Sequence, residues 1–433
     1  MEESREFKGI WFLPGEPEKS VAGILYYKKA NSIKLELIGS LTEESNPILS
    51  FFTKGKEEQK LIHGESSDAK KITLVNCFKG ACSYNLSCSF SITSFDCQYI
   101  VVGKHLAGPD EQCFNKIKVS TPALSYWPGS LLIREEIDFK DKEIISFKIN
   151  LGTKPVVHAE VDLGSQLKLS LSTSGTKTGH KIYPDSVKIN QVTYFYIETI
   201  AGKLSFFELL QQSGLFIQFL SLATYSDQYP VDIKLEDDDD YFQYESEKIH
   251  TEIELLTIYR NEELKYGMSD FLFSYRDIED DFNLVIQKWY SLSKDLMPIR
   301  NHLLNSIKRK TMFNSLDFLI IVQALEGYHT RFINKNRVTL KFRIENLFNL
   351  YSPDVQKIAK IDIDAQIVVN TRDYYSHFFE MDKKVFINEG IELFRLTEKL
   401  RLLLICCILD LIGFSKQKIN EIINKHNLFD VEH

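Results

Sequence analysis

From Phe7 to about Pro230, apolar and polar residues alternate at period two in short runs, the pattern of strands with one buried face. Ile33-Lys34-Leu35-Glu36-Leu37-Ile38, Lys71-Ile72-Thr73-Leu74-Val75 and Gln166-Leu167-Lys168-Leu169-Ser170-Leu171-Ser172 carry it most plainly. Gly108-Pro109, Pro128-Gly129 and Ser174-Gly175 break such stretches. One interval departs: Ser205 to Ala223 has helical spacing and predicts a helix packed on a sheet. After about residue 250 the period lengthens and glycine and proline thin out. The spacing predicts helices over 250–266, 279–311, 315–332, 338–350, 354–376, 388–413 and 416–426. Asn388 is the candidate cap of the long helix and Gly413 its stop. The expected fold is α+β with two domains, a β-rich, sandwich-like region followed by an all-α bundle. The boundaries fall at 1–235 for the β-rich domain, 236–300 for an acidic connector with helices, and 301–433 for the helical domain.

Charge changes this picture. The whole chain of 433 residues has a net charge of −8, which argues against nucleic acid as a partner until it is divided. Residues 231–300 hold 8 Lys/Arg against 18 Asp/Glu, whereas residues 301–433 hold 19 against 16. The helical region is therefore mildly basic, which permits RNA binding. Glu236-Asp237-Asp238-Asp239-Asp240 reads as a solvated loop, because dense like charges repel. A second reading makes it a phosphate mimic occupying the basic cleft. The aromatic groups Trp11, Tyr26-Tyr27 and Trp127 are expected in the core rather than on a binding surface.

Seven cysteines without a CxxC pair read as buried thiols, so no metal and no cofactor is expected. Apolar runs stay below membrane-spanning length, and Met1 to Lys8 carries no apolar leader, so the expected location is the cytoplasm, with no membrane partner.

Candidate chemistry concentrates in Thr371-Arg372-Asp373-Tyr374-Tyr375-Ser376-His377. It pairs a permanent cation with a titratable imidazole five positions on. The bare spacing is weak, and on a regular helix it separates the two by about 140° and about 7.5 Å. Convergence then needs a bent Arg side chain, a helix ending near His377, or a second subunit. Asp373 lies four residues before His377 and is placed to orient its ring.

The segment Arg372-Asp373-x-x-x-His377, followed by Ile391-Glu392-Leu393-Phe394-Arg395-Leu396 and Leu402 to Leu409, resembles the signature of the HEPN superfamily of helical nucleases. Gln323-Ala324-Leu325-Glu326-Gly327-Tyr328-His329 and Arg343-Ile344-Glu345-Asn346-Leu347-Phe348 resemble the first helices of its ApeA-like branch. Gly9-Ile10-Trp11-Phe12-Leu13-Pro14, Gly23-Ile24-Leu25-Tyr26 and Leu35-Glu36-Leu37-Ile38-Gly39 resemble the β-rich N-terminal domain of ApeA proteins, an anti-phage defence family.

The resemblance implies a metal-independent endoribonuclease that cleaves RNA, with host tRNA the expected target, under an N-terminal domain that senses or restrains. It implies His377 as general base or acid and Arg372 on the phosphate oxygens; Asp373 joins them as a catalytic candidate on its spacing alone. A homodimer through the HEPN domain and an unknown phage-derived trigger are the implied partners. Glu326, His329, Arg331, Arg343, Tyr374 and Tyr375 are candidate cleft residues. Lys308-Arg309-Lys310 is a weaker phosphate contact. The apolar positions of Phe394 to Leu411 are offered as the dimer surface. The alternative is a ligand-binding adaptor whose helical half only dimerises.

Overall fold

The computed structural model describes residues 4–42, 58–83, 92–129, 132–140, 142–152, 154–178, 188–244, 247–259, 271–309, 315–377 and 386–425. Cys88 and Lys310 lie outside these, as do the side chains of Cys82 and Arg309.

Six antiparallel strands close into a barrel. They are β1 (Ser4–Phe12), β2 (Val21–Lys28), β3 (Ser32–Ile38), β4 (Glu58–Ser66), β5 (Lys71–Ser83) and β6 (Ile92–Val102). The ring runs β6-β3-β2-β1-β4-β5 and closes because β5 also pairs with β6. Closure is the form that the expected β-rich architecture takes. Alternate side chains fill the interior, among them Trp11, Leu25, Leu35, Leu37, Leu74, Phe95 and Ile100. Gly64 has no side chain because Trp11 lies across it: a Cβ there would sit 2.4 Å from the indole.

The barrel continues into an open sheet through β16 (Ile253–Thr257), which pairs with β6. Beyond it follow β13 (Asp232–Glu236), β7 (Lys116–Ser120), β12 (Lys188–Thr199), β11 (Leu167–Thr178) and β10 (Val156–Gly164). Two hairpins stand apart, β8 (Ile133–Lys140) with β9 (Glu143–Leu151) and β14 (Tyr241–Tyr244) with β15 (Glu247–His250). The helix expected over Ser205 to Ala223 is present as α1 (Phe206–Ala223). Ser205 and Glu208 cap it reciprocally, and Phe206, Leu209, Phe216 and Phe219 are buried.

The helical half comprises α2 (Tyr275–Ile278), α3 (Phe282–Ser291), α4 (Ser293–Arg309), α5 (Ser315–Tyr328), α6 (Leu340–Tyr351), α7 (Gln356–Lys360), α8 (Ala365–His377), α9 (Gly390–Leu411) and α10 (Lys416–Lys425). One π turn, His329–Ile333, follows α5. Gly413, at φ +108°, follows α9 as expected, but its N-cap is Glu389 rather than Asn388. The helix expected over 354–376 is broken between Lys360 and Ala365.

Two expectations are corrected. The helix over 250–266 is absent from its described part: Ile253 and Leu255 alternate inward on β16. The acidic run is no free loop either. Asp237 is 3% exposed, and Lys104 (2.7 Å) and Lys203 both donate to it. Those two ammonium groups hold the Asp237 carboxyl below its usual range against the opposing cost of burial. Asp237 is thereby neutralised inside the β-rich half, while Asp238 and Asp239 stay exposed.

Both halves share one core. A single cluster runs from Leu61 and Val75 through Phe195, Phe219 and Trp289 to Leu404 and Ile423. Trp127 lies in it, fully buried, with its indole N–H donating to the Phe273 carbonyl at 2.9 Å. Cys77, Cys97, Cys113, Cys406 and Cys407 are buried free thiols; burial pushes the Cys113 thiol up to about 12.

Candidate active site

Helix α8 begins on Asp364, whose Oδ1 accepts the backbone N–H groups of Gln366 (2.8 Å) and Ile367 (3.3 Å). Its buried stripe is Ala365, Val368 and Thr371, which packs on α5 and α6. Thr371 Oγ1 accepts the backbone N–H of Asn388 at 3.1 Å, and Asn370 Nδ2 donates to the Phe386 carbonyl at 3.3 Å. Those two bonds hold the chain entering α9 alongside the C-terminal turns of α8.

The opposite side of α8 faces solvent. Arg372 donates to Asp373 Oδ1 at 2.8 Å, with side chains 28% and 37% exposed. An ion pair this open adds little stability. Asp373 thus engages Arg372. His377 is exposed at the last described position of the helix. Tyr374 and Tyr375 meet edge to face at 5.0 Å. Burial, with the nearby charge of Glu389, raises the Tyr375 phenol. The helix runs unbroken through Arg372 and His377, so the rotation between them is that of a regular helix.

The other expected cleft residues separate into two groups. His329 is fully buried, and Arg343 is 6% exposed. Arg343 donates to His329 Nδ1 at 3.0 Å, so Nε2 carries the ring proton and donates to Asn346 Oδ1 at 3.1 Å. Arg343 also reaches the carbonyls of Asn334 and Asn336. This cluster staples the π turn to α6 and is corrected from cleft to interior. Desolvation, then the Arg343 charge, lowers the His329 pKa. Arg331 is exposed and donates to the Asp295 carbonyl at 2.6 Å, tying the π turn to α4. Glu326 lies part-exposed on α5. Lys308 pairs with Asp227 at 2.7 Å.

Sequence reasoning overlooked Arg401. It is 5% exposed on α9 and donates to Ser306 Oγ (2.8 Å), Asp317 and Glu398. The bonds to Ser306 and Asp317 join α9 to α4 and α5. Its only sequence signal was a cation immediately before the apolar run Leu402 to Leu409. That run is itself buried within the protomer, which removes it as a dimer surface. Among the described residues, Phe386 and Ile391, 67% and 53% exposed, are apolar side chains left open beside α8.

The structure thus joins a β-rich half to a helical bundle that displays an arginine and a histidine on one solvent-facing helix. The family model described as ApeA N-terminal domain 1 matches residues 6–289, and that described as Apea-like HEPN matches residues 319–418. The chain belongs to the ApeA family, whose members are HEPN nucleases of anti-phage defence. No curated protein and no solved structure matches it. The HEPN match spans α5 to the start of α10 and so contains α8. Among the described residues no group of His, Cys, Asp or Glu could hold a metal ion, and no helix is long and apolar enough to cross a membrane.

Proposed function

We propose that the protein is an endoribonuclease of the cytoplasm that halts phage growth by cleaving RNA, with host tRNA as the substrate. Arg372 and His377 carry the chemistry. The imidazole of His377 takes the proton of a ribose 2′-hydroxyl, and that oxygen attacks the adjacent phosphorus. The P–O2′ bond forms as the P–O5′ bond breaks, leaving a 2′,3′-cyclic phosphate. The departing 5′-oxygen takes a proton from a second imidazole. The Arg372 guanidinium neutralises the charge that builds on the non-bridging oxygens. No step in this scheme calls on a metal.

The carrying observation is that both side chains lie at the accessible end of α8, within the HEPN match. One imidazole cannot both take and give a proton in a single passage, so the reading includes a homodimer that brings two Arg–His sets to one cleft. Among the described residues, Phe386 and Ile391 are apolar groups that such a pairing would cover. Residues 1–235 are assigned to sensing the phage-derived trigger or restraining the nuclease.

The test is digestion of total RNA by the purified protein in chelator, followed by analysis of the new ends. Cleavage leaving 2′,3′-cyclic phosphates, lost in His377→Ala, is expected. Intact RNA under every trigger condition that arrests growth in cells would overturn the assignment and favour the adaptor reading.

A further inference from the structure

The hairpin of β8 and β9 is amphipathic, and its apolar side is open to water. The register sets Glu135 opposite Ile149, Ile137 opposite Phe147 and Phe139 opposite Ile144, with Ile145 the extra residue of a bulge. Strand alternation therefore gathers Ile137, Phe139, Ile144, Phe147 and Ile149 on one side. The other side is polar and joined across the strands: Ser146 Oγ donates to Asp138, and Asn150 Nδ2 donates to Glu136 Oε1 at 2.8 Å. A sheet patterned in this way packs its apolar side on a core. Here the apolar side chains, Ile145 included, are instead 40% (Ile137) to 64% (Phe139) exposed.

Those six side chains leave roughly 100 Å² each in water, ~600 Å² together, the upper end of the largest apolar patch on an ordinary monomer. A two-stranded sheet by itself is marginally stable, and an open apolar strand face invites association. What covers it must be flat and apolar. A bilayer does not fit. Lys140, Lys142 and Glu143 put charge at the far end of the hairpin, the part that would enter first. Residues 133–151 hold 4 Lys/Arg against 5 Asp/Glu, so an anionic membrane surface does not attract them. A second copy of the chain supplies the same face. Two such hairpins laid face to face make a two-layer sandwich and bury ~1,200 Å² in total, the area at which specific interfaces begin.

We infer that the apolar side of β8 and β9 is a two-fold interface between two copies of this chain. The hairpin is rooted at its Ile133–Leu151 end, where the Leu132 N–H donates to Gln191 Oε1 of β12 at 2.6 Å. Laying root over tip keeps the two bodies at opposite ends of the sandwich. Charge favours the same arrangement. Glu135 is the one charged residue on the apolar side and lies toward the root, whereas Lys142 lies at the tip. The two-fold brings the acid of each copy toward the cation of the other. This interface belongs to the β-rich half, is additional to the HEPN pairing and does not depend on the nuclease reading.

The test is the mass of the full chain by sedimentation equilibrium, in the wild type and in Phe386→Glu, Ile391→Glu, which removes the apolar groups assigned to the HEPN pairing. In both backgrounds Phe139→Lys with Phe147→Lys halves the mass. The melting temperature of the released species stays the same in dilute solution, since both side chains already lie in water. Lys148→Gln, on the polar side, leaves the mass as it was. Glu135→Lys raises the dissociation constant about tenfold, and adding Lys142→Glu to the same chain restores it, as only a chain that pairs with itself allows. A HEPN dimer that fails to form leaves these results standing. A mass unchanged by Phe139→Lys with Phe147→Lys overturns the inference. So does flotation of the wild type with phosphatidylglycerol vesicles that the same two substitutions abolish, which would assign the face to a membrane.

Discussion

Arg401 and Arg372 sit on neighbouring helices of one bundle and are held in opposite ways. Arg401 is buried at the junction of α9, α4 and α5, with its donors spent on Ser306, Asp317 and Glu398. Arg372 is part-exposed and holds the carboxylate of the next residue in the chain. A guanidinium with several buried partners is committed to architecture. One held by a single open pair keeps donors for an incoming phosphate. The contrast marks structural cations better than chain position does, since Arg343, expected in the cleft, is buried as Arg401 is.

The largest test of that contrast is catalytic. Arg372→Ala and His377→Ala are each expected to lower RNA cleavage by about 10²–10⁴-fold. Their thermal unfolding should match the wild type. A variant that melts early would move its residue into the structural class.

Arg401→Ala should show the reverse, a destabilisation of about 3–5 kcal/mol in urea unfolding, because Asp317 is left buried and unpaired. The double variant Arg401→Met, Asp317→Leu should recover much of that loss. If Arg401→Ala unfolds like the wild type, the buried network is not what joins these helices.

His329 gives the comparison a pH axis. The folded chain resists protonating it, while the unfolded chain takes the proton near the ordinary value of ~6.5. Acidification through that value therefore favours the unfolded state, and stability is regained as pH rises above it. Burial lowers His63 and His158 in the same direction, so the effects add. The melting temperature should fall from pH 7.5 to 5.5, and less steeply in His329→Gln; equal slopes would remove His329 from the account.

The smallest effect belongs to Asp373→Asn. Losing an open ion pair should cost less than about 1 kcal/mol. Any change in cleavage would then report how Asp373 positions Arg372. A large loss of stability would show the pair to be structural.

Much of this was legible in the chain. Period-two alternation marked β3, β5 and β11, and helical spacing marked α1 and the bundle, because each pattern records which face of one element is buried. The misread stretches depended on distant partners. Ile253 and Leu255 alternate over too few residues to declare a strand, and β16 exists because β6, some 150 positions earlier, presents Val101 and Val102 to pair with it. Asp237 looked solvated because Lys104 and Lys203 are remote in sequence.

By itself the sequence determined the order of β-rich and helical halves, their shared family and the placing of an arginine and a histidine near the end of one helix. Those properties follow from local periodicity and short motifs. Tertiary structure alone decided which charges are buried, that six strands close on themselves, and that the halves share one core. Each of those depends on groups far apart in the chain meeting in space, where burial and pairing fix whether a charge serves the fold or remains available to a ligand.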